Sequence, residues 1–208
     1  MRKVRDNFKF DLMVGATLVG KYGIPYLPAS YEVPQEVIPF DKALQESNKS
    51  NKFVHFYISD FQFERIWNKP KKYLKVLKQF AGVIAPDFSM FLNAPNAHNI
   101  FAHYKKQALA YFYASNGIKV VPSFGTSGAA SYEWCFDGLP THSVIAVCTV
   151  GVEKNVFIDS MKELNKRLQP ELVLVYGKVF DEMQTIFQDK IIKYESRVEQ
   201  LQKIKKEV

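Results

Sequence analysis

Hydrophobic and polar positions along the middle of the chain follow two rhythms. Phe53 to Ile58, Gly82 to Ala85, Lys119 to Pro122, Ser143 to Cys148 and Leu172 to Tyr176 are short apolar runs rich in β-branched and aromatic residues, which predicts strands. Their apolar character is continuous rather than alternating, so both faces are expected to be covered, as in a parallel sheet flanked by helices. Between the runs the spacing changes to three and four. Trp67, Tyr73, Leu74, Leu77 and Phe80 recur at helical spacing, an amphipathic helix. A longer helix is expected from about Pro95 to Ser115, with Ile100, Tyr104, Ala108, Tyr111 and Phe112 inward and Asn116-Gly117 as its left-handed cap. A third, Asn155 to Leu168, carries Phe157, Met161, Leu164 and Leu168 inward and stops at Pro170. Crossovers between parallel strands are right-handed and join neighbours. The fold class is therefore α/β: a mostly parallel sheet with flanking helices, either open or a partial barrel.

The ends read differently. Pro25, Pro28, Pro34 and Pro39 lie among aromatics and valines, so this stretch is expected to be extended and to wrap the domain. After Lys178 the chain is charged, and Ile191, Tyr194, Val198, Leu201 and Ile204 step by three or four. That suits a long projecting C-terminal helix that packs on the domain, on a second copy or on a host protein. The expected organisation is one domain over 1–208: a Pro-rich wrapping segment 1–52, an α/β core 53–178 and a C-terminal helix 179–208.

Ligands of parallel sheets bind where the strands end, because loops and helix N-termini gather there. That rule selects Ser59-Asp60 after the first run, Asp87 and Ser89 after the second, Ser123, Thr126 and Ser127 after the third, and beyond these Asp137, Thr149 and Lys178. Asp60, Asp87 and Asp137 are the candidate catalytic acids, as an acid–base pair or as ligands of Mg²⁺, the one cofactor considered, although no cofactor motif is evident. The competing explanation is structural: Asp60 and Asp87 stand where helix N-caps stand, and Asp137-Gly138 is a turn former. Ser89, Ser123, Thr126, Ser127, Thr149 and Lys178 are the candidate substrate-binding residues; the glycine-bearing loop from Ser123 to Gly128 offers N–H groups and hydroxyls to phosphate, but matches no phosphate-loop pattern. His98 and His103 lie five residues apart and point to different helix faces, so no metal pair is read from them. Arg65, Lys69, Lys71, Lys72, Lys75 and Lys78, with Trp67 and Tyr73 beside them, are the candidate nucleic-acid contacts. A solvated helix face explains the same cations.

Composition narrows the class. With 208 residues, 47% hydrophobic and 24% charged, the chain is an ordinary globular domain, able to bury roughly 70% of its unfolded surface without disulfides or a structural metal. Cys135 and Cys148 form no disulfide framework or zinc motif, which suits a reducing compartment. No apolar run approaches the roughly 18 residues of a membrane helix, and Lys9 and Asp11 interrupt the stretch after the basic Met1 to Asn7, unlike a signal peptide. A cytoplasmic protein with no membrane partner is expected. The net charge of +7 favours anionic partners or serves solubility.

Several blocks together carry a resemblance. Ile58-Ser59-Asp60-Phe61-Gln62-Phe63-Glu64-Arg65-Ile66-Trp67, Ile84-Ala85-Pro86-Asp87-Phe88-Ser89, Trp134-Cys135-Phe136-Asp137-Gly138-Leu139-Pro140 and Val147-Cys148-Thr149-Val150-Gly151 resemble a domain-of-unknown-function family, number 4417, of phage, plasmid and bacterial mobile-element proteins. The likeness implies a mobile-element context, attaches a replication label, and places Asp60, Asp87, Ser89 and Asp137 inside recognisable blocks. The paired histidines and tyrosine of nicking enzymes are not visible. The functional expectation is an accessory protein that engages nucleic acid around replication through its basic helix. The alternatives are a metal-dependent hydrolase or phosphodiesterase acting on a nucleotide or phosphorylated substrate at the strand rim, and a host-takeover or counter-defence protein binder.

Overall fold

The computed structural model describes residues 9–205; the basic opening stretch from Met1 to Asn7 lies outside them. The expected strands form close to where the apolar runs stand: β4 (Lys52–His55), β5 (Gly82–Ile84), β6 (Val120–Val121), β7 (Val144–Cys148) and β8 (Leu172–Tyr176). Two further strands come from the ends of the chain, β3 (Glu36–Pro39) and β9 (Ile191–Tyr194), after a small antiparallel hairpin of β1 (Leu18–Val19) and β2 (Ile24–Pro25). Sheet pairing is parallel throughout the order β3-β4-β5-β6 and again through β7-β8-β9. The two sheets join just past β6, where Phe124 N–H donates to Ala146 O at 2.9 Å and Ala146 N–H to Pro122 O at 2.8 Å.

Side chains on a strand alternate between faces. In β7, Ile145 and Val147 face an outer core, whereas Val144 and Ala146 face the other way; in β8, Val173 and Val175 part from Leu174 likewise. The opposite-facing residues Val37, Phe53, Ile84, Val121, Ala146, Leu174 and Ile192, one from each strand from β3 to β9, meet in a single cluster. The rings of His55 at the end of β4 and Tyr176 at the end of β8 stand 4.4 Å apart although β5, β6 and β7 lie between these strands, so the sheet is curled into a partial barrel. No β-ladder closes it between β9 and β3 among the described residues; instead Tyr194 O–H donates to Pro34 O at 2.6 Å across the seam.

Helices cover the outside, beginning with the single turn α1 (Phe40–Ala43) after β3. The basic region is three short helices rather than one, α2 (Asp60–Phe63), α3 (Arg65–Asn68) and α4 (Pro70–Leu77), because Pro70 starts a helix well and continues one badly. The long α5 (Asn96–Ser115) ends as expected, with Gly117 at φ +83° and Ile118 N–H donating to Tyr113 O. One flank packs on the sheet and another is covered by the hairpin and the turn Phe10–Met13. α6 (Lys154–Leu168) ends at Gln169 in the left-handed region before Pro170.

Two expectations are corrected. The Pro-rich segment does wrap, with Leu27 N–H donating to Gly138 O and Val144 N–H to Ser30 O, but it also contributes β3 to the sheet. The long C-terminal helix is α7 (Asp181–Phe187), β9 and α8 (Arg197–Ile204). Gln188 at φ +54° breaks the helix, and the β-branched Ile191-Ile192 pair beside β8. The three-and-four stepping from Ile191 onward spans a strand and a helix. Val198 and Leu201 of α8 are exposed.

Candidate functional site

The ends of β5, β6 and β7 share one rim, as parallel strands require, and enclose a cleft of about 250 Å³. Asp87, Ser89, Gly125, Thr126, Cys148 and Phe157 are among its walls. The expected caps are not formed: no side chain caps α2, and no helix begins near Asp87. Asp60 instead reaches across to the next strand end. Its carboxylate accepts Ser89 N–H at 3.2 Å and Ser89 O–H at 2.8 Å, which pins the β5 loop and leaves Asp87 at the cleft wall.

Asp87 sits in a low-dielectric setting. Burial pushes its pKa up to about 6; Lys106 opposes the shift and Asp60 adds to it. Lys106, from the middle of α5, is 1% exposed, and its Nζ has no hydrogen-bond partner among the described residues. Burial lowers the Lys106 pKa, while Asp87 and Cys135 pull the other way. Both groups lie close to Gly125: a Cβ there would stand 3.0 Å from Met90 Cε, 3.4 Å from Asp87 Oδ1 and 3.6 Å from Lys106 Nζ, but only Asp87 is a wall of the cleft. Lys105, the residue before Lys106, points elsewhere, with its Nζ 4.0 Å from the centre of the Phe88 ring.

Behind the cleft, aromatic rings cross the barrel mouth. His55, at the end of β4, has its ring 4.4 Å from Tyr176 at the end of β8, and Tyr57 is 5.3 Å from the same ring. Burial drops the His55 pKa to about 3, so the ring is neutral, and its Nδ1 accepts Tyr57 N–H. Tyr57 O–H is buried and, among the described residues, has no partner. Cys148 is pushed up to about 12, chiefly by burial.

The other predicted residues separate. Asp137 stands apart from Asp60 and Asp87: its carboxylate lies against Gly20 of the hairpin, where φ is +69° and any Cβ would collide with it, and its carbonyl accepts from His103 Nε2 and Gln107 Nε2. Ser123 O–H donates to Ala85 O and Thr149 O–H to Tyr176 O, each tying one strand end to a neighbour. Thr126 lines the cleft but shares its hydroxyl hydrogen bond with Ser131, whose Oγ also accepts Ser127 N–H. Lys178 lies outside the cleft wall, near the Phe180 ring. Among the described residues no three His, Cys, Asp or Glu side chains converge closely enough to hold a metal ion. Arg65, Lys69, Lys71, Lys72, Lys75 and Lys78 are all exposed; Lys71 pairs with Asp11 at 2.9 Å. Trp67 and Tyr73 are buried in the outer core and anchor the helices instead of offering rings to bases.

A family model described as a domain of unknown function, DUF4417, matches residues 16–195. The chain belongs to the DUF4417 family. This DUF4417 chain is similar to the Gene 1 protein of Mycobacterium phage L5, with 32% identity over 136 residues that cover 63% of the chain and 59% of the relative. The Gene 1 protein of Mycobacterium phage D29 is 27% identical over 165 residues, 76% of the chain and 61% of the relative. The chain thus spans about three fifths of the length of these relatives. No solved structure matches it. No helix among the described residues is long and apolar enough to cross a membrane.

Proposed function

We infer that this DUF4417 protein is an enzyme whose rim cleft carries general acid–base chemistry. Asp87 is the proton donor, and the Lys106 charge buried beside it keeps its pKa from rising further. The observation that carries this reading is Asp87 at the wall of the cleft: a carboxyl with raised pKa, beside a buried Lys106 ammonium that has no hydrogen-bond partner among the described residues. A carboxylic acid whose pKa is raised to about 6 exchanges its proton close to neutral pH and is suited to giving it up, and perturbed groups at a cleft mark functional sites. Asp60 positions the loop through Ser89. Mg²⁺, if it enters, meets Asp87 as the acid facing the cleft, since Asp60 is committed to Ser89.

The test is isotope uptake. A bacterial metabolite extract incubated with the protein in ²H₂O is expected to show at least one metabolite that gains deuterium with wild type and not with Asp87→Asn, read by mass spectrometry. The rate should fall as pH rises through about 6, because Asp87 loses its proton there. Uptake that is absent, or equal in the two proteins, overturns the reading.

A second reading, nucleic-acid binding in a replication context, is favoured by the exposed cations on α3 and α4. Reversing Lys71, Lys72 and Lys75 to glutamate is expected to weaken binding to DNA or RNA by roughly tenfold or more at low salt, and wild-type affinity should fall steeply as salt rises. A gel shift that is absent in wild type, or unchanged in the variant, removes this reading.

A further inference from the structure

We propose that the cavity at the seam of the barrel binds a small phosphomonoester, with the phosphoryl group held by His55, Tyr176, Lys42 and Arg197 and the organic part lying against Val37 and Pro39. The cavity, of about 320 Å³, opens at the ends of β3, β4 and β8 beside the start of α8. It shares no wall with the Asp87 cleft, so this inference stands apart from the acid–base reading. Parallel strands bind ligands where they end. Here the two edge strands bring their ends to one space: Pro39 closes β3 and Glu195 follows β9.

Two buried donors on the cavity wall lack acceptors. His55 is 1% and Tyr176 7% exposed. His55 Nδ1 accepts Tyr57 N–H, so the proton of the neutral ring is on Nε2. Nε2 makes no hydrogen bond among the described residues, yet it is not sealed off, so it opens into the cavity that the ring lines. Tyr176 Oη accepts Arg197 N–H at 3.1 Å, and its own proton has no acceptor among the described residues. A buried donor without an acceptor is costly. A bound oxygen removes that cost for both.

Charge sets the ligand class. Lys42 is exposed on the cavity wall and has no ion pair among the described residues. Arg197 reaches Asp41 Oδ2 only at 3.9 Å, beyond hydrogen-bond distance. Glu195, the acid on the wall, is taken by Lys203, and the N-terminus of α8 is closed by the Ser196–Glu199 capping box. Four donors from α1, β4, β8 and α8 thus border one space, two of them cationic. A carboxylate offers two oxygens in one plane, whereas a phosphoryl group offers three and up to two negative charges, which match this set. Val37, Ile38 and Pro39 make the remaining side apolar, a surface that gains by being covered. A space of this size takes a metabolite-sized ligand, whereas a polynucleotide needs a groove that tracks its backbone.

The experiment follows the His55 imidazole of the full chain by ¹⁵N NMR, with affinities from calorimetric titration, as phenyl phosphate, inorganic phosphate, benzoate or a 5′-phosphorylated oligonucleotide is added. Phenyl phosphate is expected to shift the Nε2 resonance and to bind at least about tenfold more tightly than inorganic phosphate, a difference that burial of the ring supplies. Benzoate and the oligonucleotide at equal concentration should leave Nε2 in place. Lys42→Gln and Arg197→Gln change exposed side chains and should fold normally, and combining them should abolish the Nε2 shift. Asp87→Asn should bind phenyl phosphate like wild type, which separates this site from the chemistry at the other cleft. The proposal is overturned if phenyl phosphate leaves Nε2 unmoved or binds no more tightly than inorganic phosphate. It is equally overturned if benzoate or the oligonucleotide moves Nε2 as far, or if the double variant binds like wild type.

Discussion

Lys106→Met is expected to stabilise the protein by about 1–3 kcal/mol at pH 7. A buried ammonium with no hydrogen-bond acceptor carries a desolvation cost that the attraction of Asp87 and Cys135 only partly offsets, since burial is the largest cause of its lowered pKa, and an apolar side chain of similar length removes that cost without opening a cavity. For a chain of this size the gain corresponds to a rise in Tm of roughly 3–10 °C. The pH dependence has a definite sign. The folded-state pKa of Lys106 lies below 10.5, so below that value the unfolded chain binds more protons at this group and wild-type stability rises with pH. The advantage of Lys106→Met over wild type is therefore greatest near neutrality and shrinks as pH approaches 10.5. Urea melts of both proteins at pH 7 and pH 10 measure it. A variant less stable than wild type at pH 7 would mean that Lys106 has a partner in the folded protein.

Lys106 is also where reading the residues in order fails. A lysine beside Lys105 in a helical pattern reads as solvent-facing, and only the run Gln107-Ala108-Leu109-Ala110 hints that α5 is buried on nearly all sides. The cause is tertiary: Lys106 lies among Asp87, Gly125 and Cys135, which other elements bring to this side of α5. What depends on local pattern was legible. The continuous runs became parallel strands with their ends on one rim, and β8 occupies the Leu172 to Tyr176 run in full. The Asn116-Gly117 cap and the stop before Pro170 also stand, because each is set by neighbouring residues. Asp60, Asp87 and Asp137 were grouped by their positions after apolar runs, but the fold gives each its own surroundings. Ser89 holds the first, Lys106 and burial perturb the second, and Gly20 covers the third. Each of those neighbours is set by the fold and not by spacing. β9 escaped because its apolar residues continue a helical step into α8, and only the free edge of β8 decides their conformation.

Curling of the sheet makes its own prediction at Gly82. This glycine opens β5 directly beside Phe53 of β4, and Phe53 fills the barrel interior. A Cβ on Gly82 would stand 2.5 Å from Phe53 Cζ and 2.7 Å from the backbone oxygen of Lys119. The ring cannot swing outward, because it is enclosed by residues from the other strands, and the oxygen belongs to the sheet. Gly82→Ala is therefore expected to cost about 2–3 kcal/mol through overpacking. Gly117→Ala is the control: Gly117 has φ +83° but open space around it, so its cost is the left-handed penalty of about 1–2 kcal/mol alone. Shrinking the ring should relieve part of the clash, so Phe53→Leu combined with Gly82→Ala should be more stable than the sum of the single losses by about 1 kcal/mol. The part due to Lys119 O remains. Urea denaturation of the wild type, the three single variants and the double variant measures all of this. If the Phe53 and Gly82 losses simply add, the ring is not confined and the curled interior is wrong.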